Sequence, residues 1–236
     1  MANTVYHPAS SRGFADHGWL KSHQTFSFSG YFNPERIQFG ALRVLNDDLV
    51  DGGRGFGKHP HDNMEIISIP LEGELKHQDS MGNEAVIKAG EVQVMSAGTG
   101  IFHTEFNHDP EQAVKFLQIW LFPNKRNVTP RYDQQQYQLV KNQFSQILSP
   151  NADDEGVWIY QNAWFNLGEF DGGQTVNYTM HDPENGLYVF MINGSGKILG
   201  QELAQRDGLG ITEENEILID VLTDAKILLM EVPMSI

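Results

Sequence analysis

Short apolar runs separated by glycine-bearing turns set the rhythm of this chain. Runs with strand character occupy 39–45, 64–71, 91–95, 114–122, 187–192, 216–219 and 226–232. The turn signals Asp51-Gly52-Gly53, Met81-Gly82-Asn83 and Asn193-Gly194 divide them at intervals typical of antiparallel β proteins. In the run 114–122, alternation puts Phe116, Trp120 and Phe122 on one face and Leu117, Ile119 and Leu121 on the other. Both faces are apolar, so this strand is expected to be covered on two sides, within a sandwich or barrel. Long amphipathic helices are absent from the pattern. The best helical candidate is 132–146, whose exposed face is rich in Gln.

The strand pattern falls into two halves, 1–130 and 131–236, with the polar stretch 123–154 reading as a connector. Leu71-Glu72-Gly73-Glu74-Leu75-Lys76 and Met191-Ile192-Asn193-Gly194-Ser195-Gly196-Lys197 each read as strand, glycine turn, strand. Each is followed by a second turn, Gly90-Glu91 or Asp207-Gly208, which suggests duplication of one β unit. The expected class is all-β, with two antiparallel β-barrel, jelly-roll-like domains.

Composition narrows the chemistry. The 236 residues contain no cysteine, which removes disulfide frameworks, zinc ribbons, Cys-ligated iron–sulfur clusters and thiol nucleophiles. The 16 Lys+Arg against 31 Asp+Glu give a formal net charge of -15, without a basic cluster to offset it. Direct binding to a nucleic-acid backbone is therefore not expected. The start of the chain lacks a basic region followed by an apolar run, and the longest apolar stretches are far shorter than the ~18 residues of a spanning helix. A cytoplasmic monomer is the expectation.

Histidine carries the strongest signal. His59 and His61 sit two apart in Gly-Phe-Gly-Lys-His-Pro-His, and His103 and Glu105 sit two apart in Gly-Ile-Phe-His-Thr-Glu. Residues i and i+2 of an extended segment face the same way, so each pair presents two ligands from one face. The two pairs are far enough apart in sequence for a hairpin to bring them to one interior point. Three imidazoles and one carboxylate suit Fe, Mn, Co, Ni or Cu and leave coordination positions open. Either pair alone would read as ordinary surface chemistry. Together, each with a glycine-rich approach, they read as a metal site.

The segment Gly53-x5-His59-x-His61-x3-Glu65, with Gly73 beyond, is similar to the first cupin motif. Gly90-x5-Ser96-x-Gly98-x4-His103-x3-Asn107 is similar to the second. Ser96 stands where many cupins have Pro, His103 comes two residues late, and Gly73 one. Those departures, and the His-x-Glu ending, resemble the pirin family. So do His17-Gly18-Trp19-Leu20, Thr25-Phe26-Ser27-Phe28, the segment 42–48, the segment 77–83 and Met95-Ser96-Ala97-Gly98-Thr99-Gly100. The resemblance covers most of the first 125 residues; beyond them it rests on length and strand pattern.

The resemblance implies a bicupin with a metal-binding N-terminal domain over 1–130 and a degenerate C-terminal cupin without a metal site over 131–236. It implies one divalent metal, iron(II) first and Mn, Co, Ni, Cu or Zn as alternatives, at His59, His61, His103 and Glu105. Some bacterial pirins show quercetin 2,3-dioxygenase activity, whereas eukaryotic pirins are described as redox-responsive transcriptional co-regulators. The first expectation is thus a dioxygenase taking a flavonol or similar hydroxylated aromatic and O2, with Glu105 as catalytic base. The alternative is an iron-dependent interaction protein without turnover, which leaves a protein partner open. A sugar-phosphate isomerase is disfavoured, because only Arg54 and Lys58 are at hand for a phosphate.

Smaller expectations complete the reading. Glu65 shares the parity of His59 and His61 and is expected to orient an imidazole. Phe56, Met64, Phe102, Phe106 and Phe116 are candidate walls for a flat ligand. His77 reads as a surface turn residue, Arg43 as half of an ion pair, and Trp19, Trp120, Trp158 and Trp164 as packing.

Overall fold

The computed structural model describes residues 2–235. Its first half contains β1 (Asn3–His7), β2 (Gly13–Asp16), β3 (Leu20–Gln24), β4 (Leu42–Val50), β5 (Gly55–His61), β6 (Glu65–Glu72), β7 (Glu74–Asp79) and β8 (Glu84–Lys88). It continues with β9 (Glu91–Ser96), β10 (Ile101–Asn107), β11 (Val114–Leu121) and β12 (Arg131–Gln136). The second half holds β13 (Phe144–Ser149), β14 (Val157–Trp158), β15 (Trp164–Phe170), β16 (Thr175–Thr179) and β17 (Asn185–Asn193). The last five strands are β18 (Gly196–Ile198), β19 (Gln201–Leu203), β20 (Gly208–Thr212), β21 (Glu216–Val221) and β22 (Ala225–Pro233). Among the described residues, helix is confined to one 3-10 turn, Ala9–Ser11.

Each half is a pair of facing sheets rather than a closed barrel. The first sets the seven-stranded sheet β12-β9-β6-β11-β4-β3-β2 against the four-stranded sheet β5-β10-β7-β8. The second repeats the plan, with β1-β20-β17-β22-β15-β13-β14 against β16-β21-β18-β19. The two halves exchange strands. β1 pairs with β20 in the second half's large sheet, and β12, beyond residue 130, pairs with β9 in the first half's.

The largest core lies between the halves, where the two seven-stranded sheets pack back to back. Leu45, Ile67, Ile69, Leu117, Ile119 and Leu121 from one sheet meet Phe165, Leu167, Tyr188, Phe190, Leu228 and Met230 from the other. This accounts for the two apolar faces of β11. Leu117, Ile119 and Leu121 fill the core between the sheets, while Phe116, Gln118 and Trp120 face the interior of the first half. Burying each such aliphatic or aromatic side chain contributes roughly 1.5–3 kcal/mol.

The helix expected over 132–146 does not form. Residues 131–136 extend along β9 instead, and 144–149 make β13. The Gln-rich sequence suits an edge strand: Gln135 and Gln136 are exposed while Tyr132 reaches inward. The polar stretch read as a connector therefore contains strand from both halves.

Candidate metal centre

β5 and β10 run antiparallel, with His59 directly opposite His103 and His61 opposite Ile101. Between His103 and Glu105 the register slips, so that the pair after His103–His59 is Glu105–Phe56. The extra residue on β5 is a bulge, which turns Phe56 to the same side as the two histidines despite its opposite parity. Gly55 permits the close approach, because a Cβ there would collide with the Glu105 carbonyl and Phe106 Cα. β5 is an edge strand, where the missing donor of Pro60 is tolerated.

One ring nitrogen from each of His59, His61 and His103 lies within 4.8 Å of the others. The rings stand at centroid separations of 4.4 Å (His59–His103) and 4.9 Å (His59–His61 and His61–His103). His59 Nδ1 sits 2.7 Å from the Gly57 carbonyl. That contact holds the proton on Nδ1 and leaves the Nε2 lone pair free. His103 is buried, and neither of its ring nitrogens has a hydrogen-bond partner among the described residues. Burial, then the adjacent His103 and His59, lowers the His61 pKa to about 4. Burial followed by His59 and His77 lowers that of His103 to about 3. Both rings are neutral near pH 7 and open to a cation.

Glu105 faces the same cavity but its carboxylate is tethered from behind. Ser68 Oγ donates to Oε1 at 3.0 Å, and Gln118 Nε2 donates to Oε2 at 2.7 Å. A carboxylate has about four acceptor positions, so each oxygen keeps capacity for another partner. The tether belongs to a polar row crossing the inner face of the large sheet. Gln24, Asn46, Gln118, Ser68, Gln93 and Gln134 are successive register partners on β3, β4, β11, β6, β9 and β12.

The cavity has a volume of about 440 Å³, within the usual range for a small-molecule site. Trp19, Phe28, Phe56 and Trp120 supply its apolar walls, and His59, His61, Glu105, Gln118, Asn46 and Asp48 its polar lining. Of the aromatic walls expected from sequence, Phe56 alone is among them. Phe116 packs in the small core cluster with Leu75 and Val114. Phe102 and Phe106 flank His103 and Glu105 at opposite parity, so they point outward and are exposed. Met64 packs near Ile66 and Met95. Trp19 and Trp120 are walls as well as packing residues.

Three further expectations change. Glu65 lies on the opposite face of β6 from Ser68, paired with Leu121 and Ser96. It accepts a 2.7 Å hydrogen bond from Ser96 Oγ and, among the described residues, makes none with an imidazole. The parity argument fails because Asn63, at φ 46°, turns the chain between β5 and β6. His77 is fully buried rather than in a surface turn. Its ring stacks on Tyr132 at 4.6 Å and lies 5.4 Å from that of His103, and its Nε2 contacts Asp79 Oδ2 at 3.2 Å. Arg43 donates to the carbonyls of Ser27 and Ile37 rather than to a carboxylate.

The Pirin family model matches residues 6–121, and a model described as the quercetinase C-terminal cupin domain matches 146–232. A protein of Escherichia coli (strain K12) named quercetin 2,3-dioxygenase is 40% identical over 226 residues, covering 95% of this chain and 96% of its own. The chain belongs to the pirin family. A pirin-like protein of Caulobacter vibrioides is 37% identical over 227 residues, covering 95% of this chain and 97% of its own. The crystal structure of the bacterial pirin YhhW from Escherichia coli in complex with nickel(II) superimposes with a TM-score of 0.93 at 37% identity, over 98% of this chain and 99% of that one. The nearly all-β pirin fold of two facing-sheet cupin halves is thus the fold of this protein. No helix of the described residues is long and apolar enough to cross a membrane.

Proposed function

We propose that this pirin is a metal-dependent dioxygenase of the quercetin 2,3-dioxygenase type, which cleaves a flavonol or similar hydroxylated aromatic with O2. The observation that carries the reading is the convergence of three histidines, two of them lining an aromatic-walled cavity and the third buried beside them with both nitrogens unpartnered. An unpartnered buried imidazole is costly, and a cation between the three rings removes that cost. His59, His61 and His103 would hold the ion, with Glu105 as the fourth residue. The donor set suits iron(II), Mn, Co, Ni, Cu or Zn, and the structure of YhhW in complex with nickel(II) supports a divalent transition ion in this family. Bound there, the ion supplies Lewis acidity that lowers the pKa of a coordinating hydroxyl, and redox chemistry where it is iron.

The chain's own residues supply the rest. Trp19, Phe28, Phe56 and Trp120 grip a flat ring system and exclude water from it. Glu105 takes the proton of the substrate hydroxyl, within hydrogen-bond reach of an oxygen seated at the histidines. Ser68 and Gln118 hold the carboxylate in place, so it accepts that proton without first reorganising.

The test pairs metal content with turnover. The purified protein is assayed for bound metal and for loss of quercetin absorbance with and without oxygen, beside His59→Ala and Glu105→Ala. Oxygen-dependent loss in the wild type, abolished with the metal in His59→Ala and without folding loss in Glu105→Ala, is expected. Full metal occupancy with no oxygen-dependent loss overturns the enzyme reading in favour of a metal-responsive interaction protein.

A further inference from the structure

Beyond the histidines, the cavity opens into a second recess of about 300 Å³, and Trp19, Phe28, Ser29, Asn46, Asp48 and Phe56 line both. Gln24 and Ser22, with Ala15, His17 and Leu20, line the recess but not the cavity that holds His59 and His61. Three of these side chains carry a buried oxygen with no partner among the described residues: Gln24 Oε1, Asn46 Oδ1 and Asp48 Oδ1. Their residues are 3%, 2% and 4% exposed. Gln24 and Asn46 are direct register partners on β3 and β4, and Asp48 is the next residue on the same face of β4. Fold stability does not ask for such an arrangement, since a buried acceptor left without a donor is a liability that evolution removes cheaply by substitution.

We infer that Gln24, Asn46 and Asp48 form a hydroxyl-reading subsite, which accepts hydrogen bonds from O–H groups on the part of an aromatic substrate remote from the three histidines. This deepens the enzyme reading, and rests on it for the orientation of the substrate. All three orphan atoms are oxygens, so the subsite calls for donors. Asp48 is its anchor: the amides of Gln24 and Asn46 can turn over to present nitrogen, whereas an ionised carboxylate offers acceptors only. Burial lifts the Asp48 pKa to about 7, against the opposing effect of Ser22. A phenolic O–H facing it supplies the hydrogen bond that favours the ionised form.

The reach is right for one rigid molecule. β4 and β3 lie one and two strand spacings, about 5 and 10 Å, from β11, whose Gln118 holds Glu105. Trp19, Phe28 and Phe56 line both the cavity and the recess and supply apolar surface to each. A substrate with one hydroxyl at the histidines and another on a ring at its far end occupies both positions; one without the distal hydroxyl leaves the acceptors unpaired.

The test uses two flavonols, quercetin, with two hydroxyls on its pendant ring, and galangin, with none. Binding to the metal-loaded protein is followed under nitrogen by quenching of tryptophan fluorescence, since Trp19 and Trp120 line the cavity. The wild type should bind quercetin about tenfold tighter than galangin. In Asp48→Ala that ratio should fall to within twofold of unity while galangin binding changes less than twofold. The isosteric Asp48→Asn, which retains the packing, should fall between. A wild-type ratio near unity, or a ratio unmoved in both variants, overturns the subsite. The two proposals fail separately: loss of the ratio in the variants supports the subsite even where no flavonol is consumed, and intact turnover with an unmoved ratio overturns the subsite alone.

Discussion

Gln118 Nε2 donates to Glu105 Oε2 at 2.7 Å, while the single proton of the Ser68 hydroxyl is shared between Glu105 Oε1 and Gln118 Oε1, each 3.0 Å away. The three side chains form a closed buried triangle that fixes the plane of the carboxylate. Replacing Gln118 by Met preserves the bulk and removes the donor. Glu105 is then held by Ser68 alone, and Gln118→Met should lower metal affinity or oxygen-dependent turnover by about 10–100-fold. Chelator competition and a quercetin assay measure the two. Unchanged values for both would show that Ser68 suffices.

The histidine pairs and the glycine-rich approach were legible because period-2 spacing and turn chemistry are local. So was the duplicated strand-and-turn pattern. The sheet partners of those strands are not local, and there the sequence was silent. Gln118 is a polar residue in the middle of the apolar run 114–122, and Asn46 and Asp48 stand beyond the apolar strand from Leu42. A buried polar residue in such a strand is a signal, but its meaning depends on the register that places it opposite Ser68 or Gln24. Phe102 and Phe106 could have been excluded as walls by parity with His103. Glu65 could not, because the left-handed Asn63 resets the parity between β5 and β6.

His77 and Asp79 form a buried pair behind His103. Asp79 Oδ2 meets His77 Nε2, and the same carboxylate accepts from the backbone of Met81 and Asn83 and from the Asn83 side chain at 2.8 Å. Those contacts outweigh burial and hold the Asp79 pKa below its ordinary value. Asp79→Ala leaves the His77 nitrogen and two turn amides without their acceptor. It should destabilise the protein by about 2–4 kcal/mol in urea unfolding. The His77 ring also supports that of His103, so metal affinity should fall as well; a stability loss with unchanged affinity would confine the pair to the turn.

Glu65 sets a pH dependence of opposite sign to the usual carboxylate. Burial raises its pKa from 4.5 to about 7, against the hydrogen bonds from Ser96 and the Tyr160 backbone and the charge of Arg131. Between about pH 4.5 and 7 the folded protein therefore holds a proton that the unfolded chain has released. The contribution of Glu65 to stability is full below that window, and falls as pH rises through it by on the order of 3 kcal/mol. Urea midpoints of the wild type and Glu65→Gln, compared from pH 5 to 8, isolate it. The stability difference between the two should drift in the variant's favour as pH rises, and a difference independent of pH would refute the assignment.

The back-to-back sheets predict how the whole molecule unfolds. Leu117 and Ile119 on one side and Leu228 and Met230 on the other are buried completely, and all belong to the core shared by the two halves. Strand exchange adds to this, since β1 carries His7 to within 2.8 Å of the Tyr188 hydroxyl and Tyr6 to within 2.7 Å of Asp207. A segment ending at residue 130 would lose β12 from its own sheet and expose the apolar face of β11. The intact protein should unfold in one calorimetric transition with equal calorimetric and van't Hoff enthalpies. The segment 1–130 expressed alone should aggregate, because that face has no cover. Two resolved transitions, or a soluble monomeric 1–130, would mean that each half closes its own core and that the shared face contributes little to the stability of either.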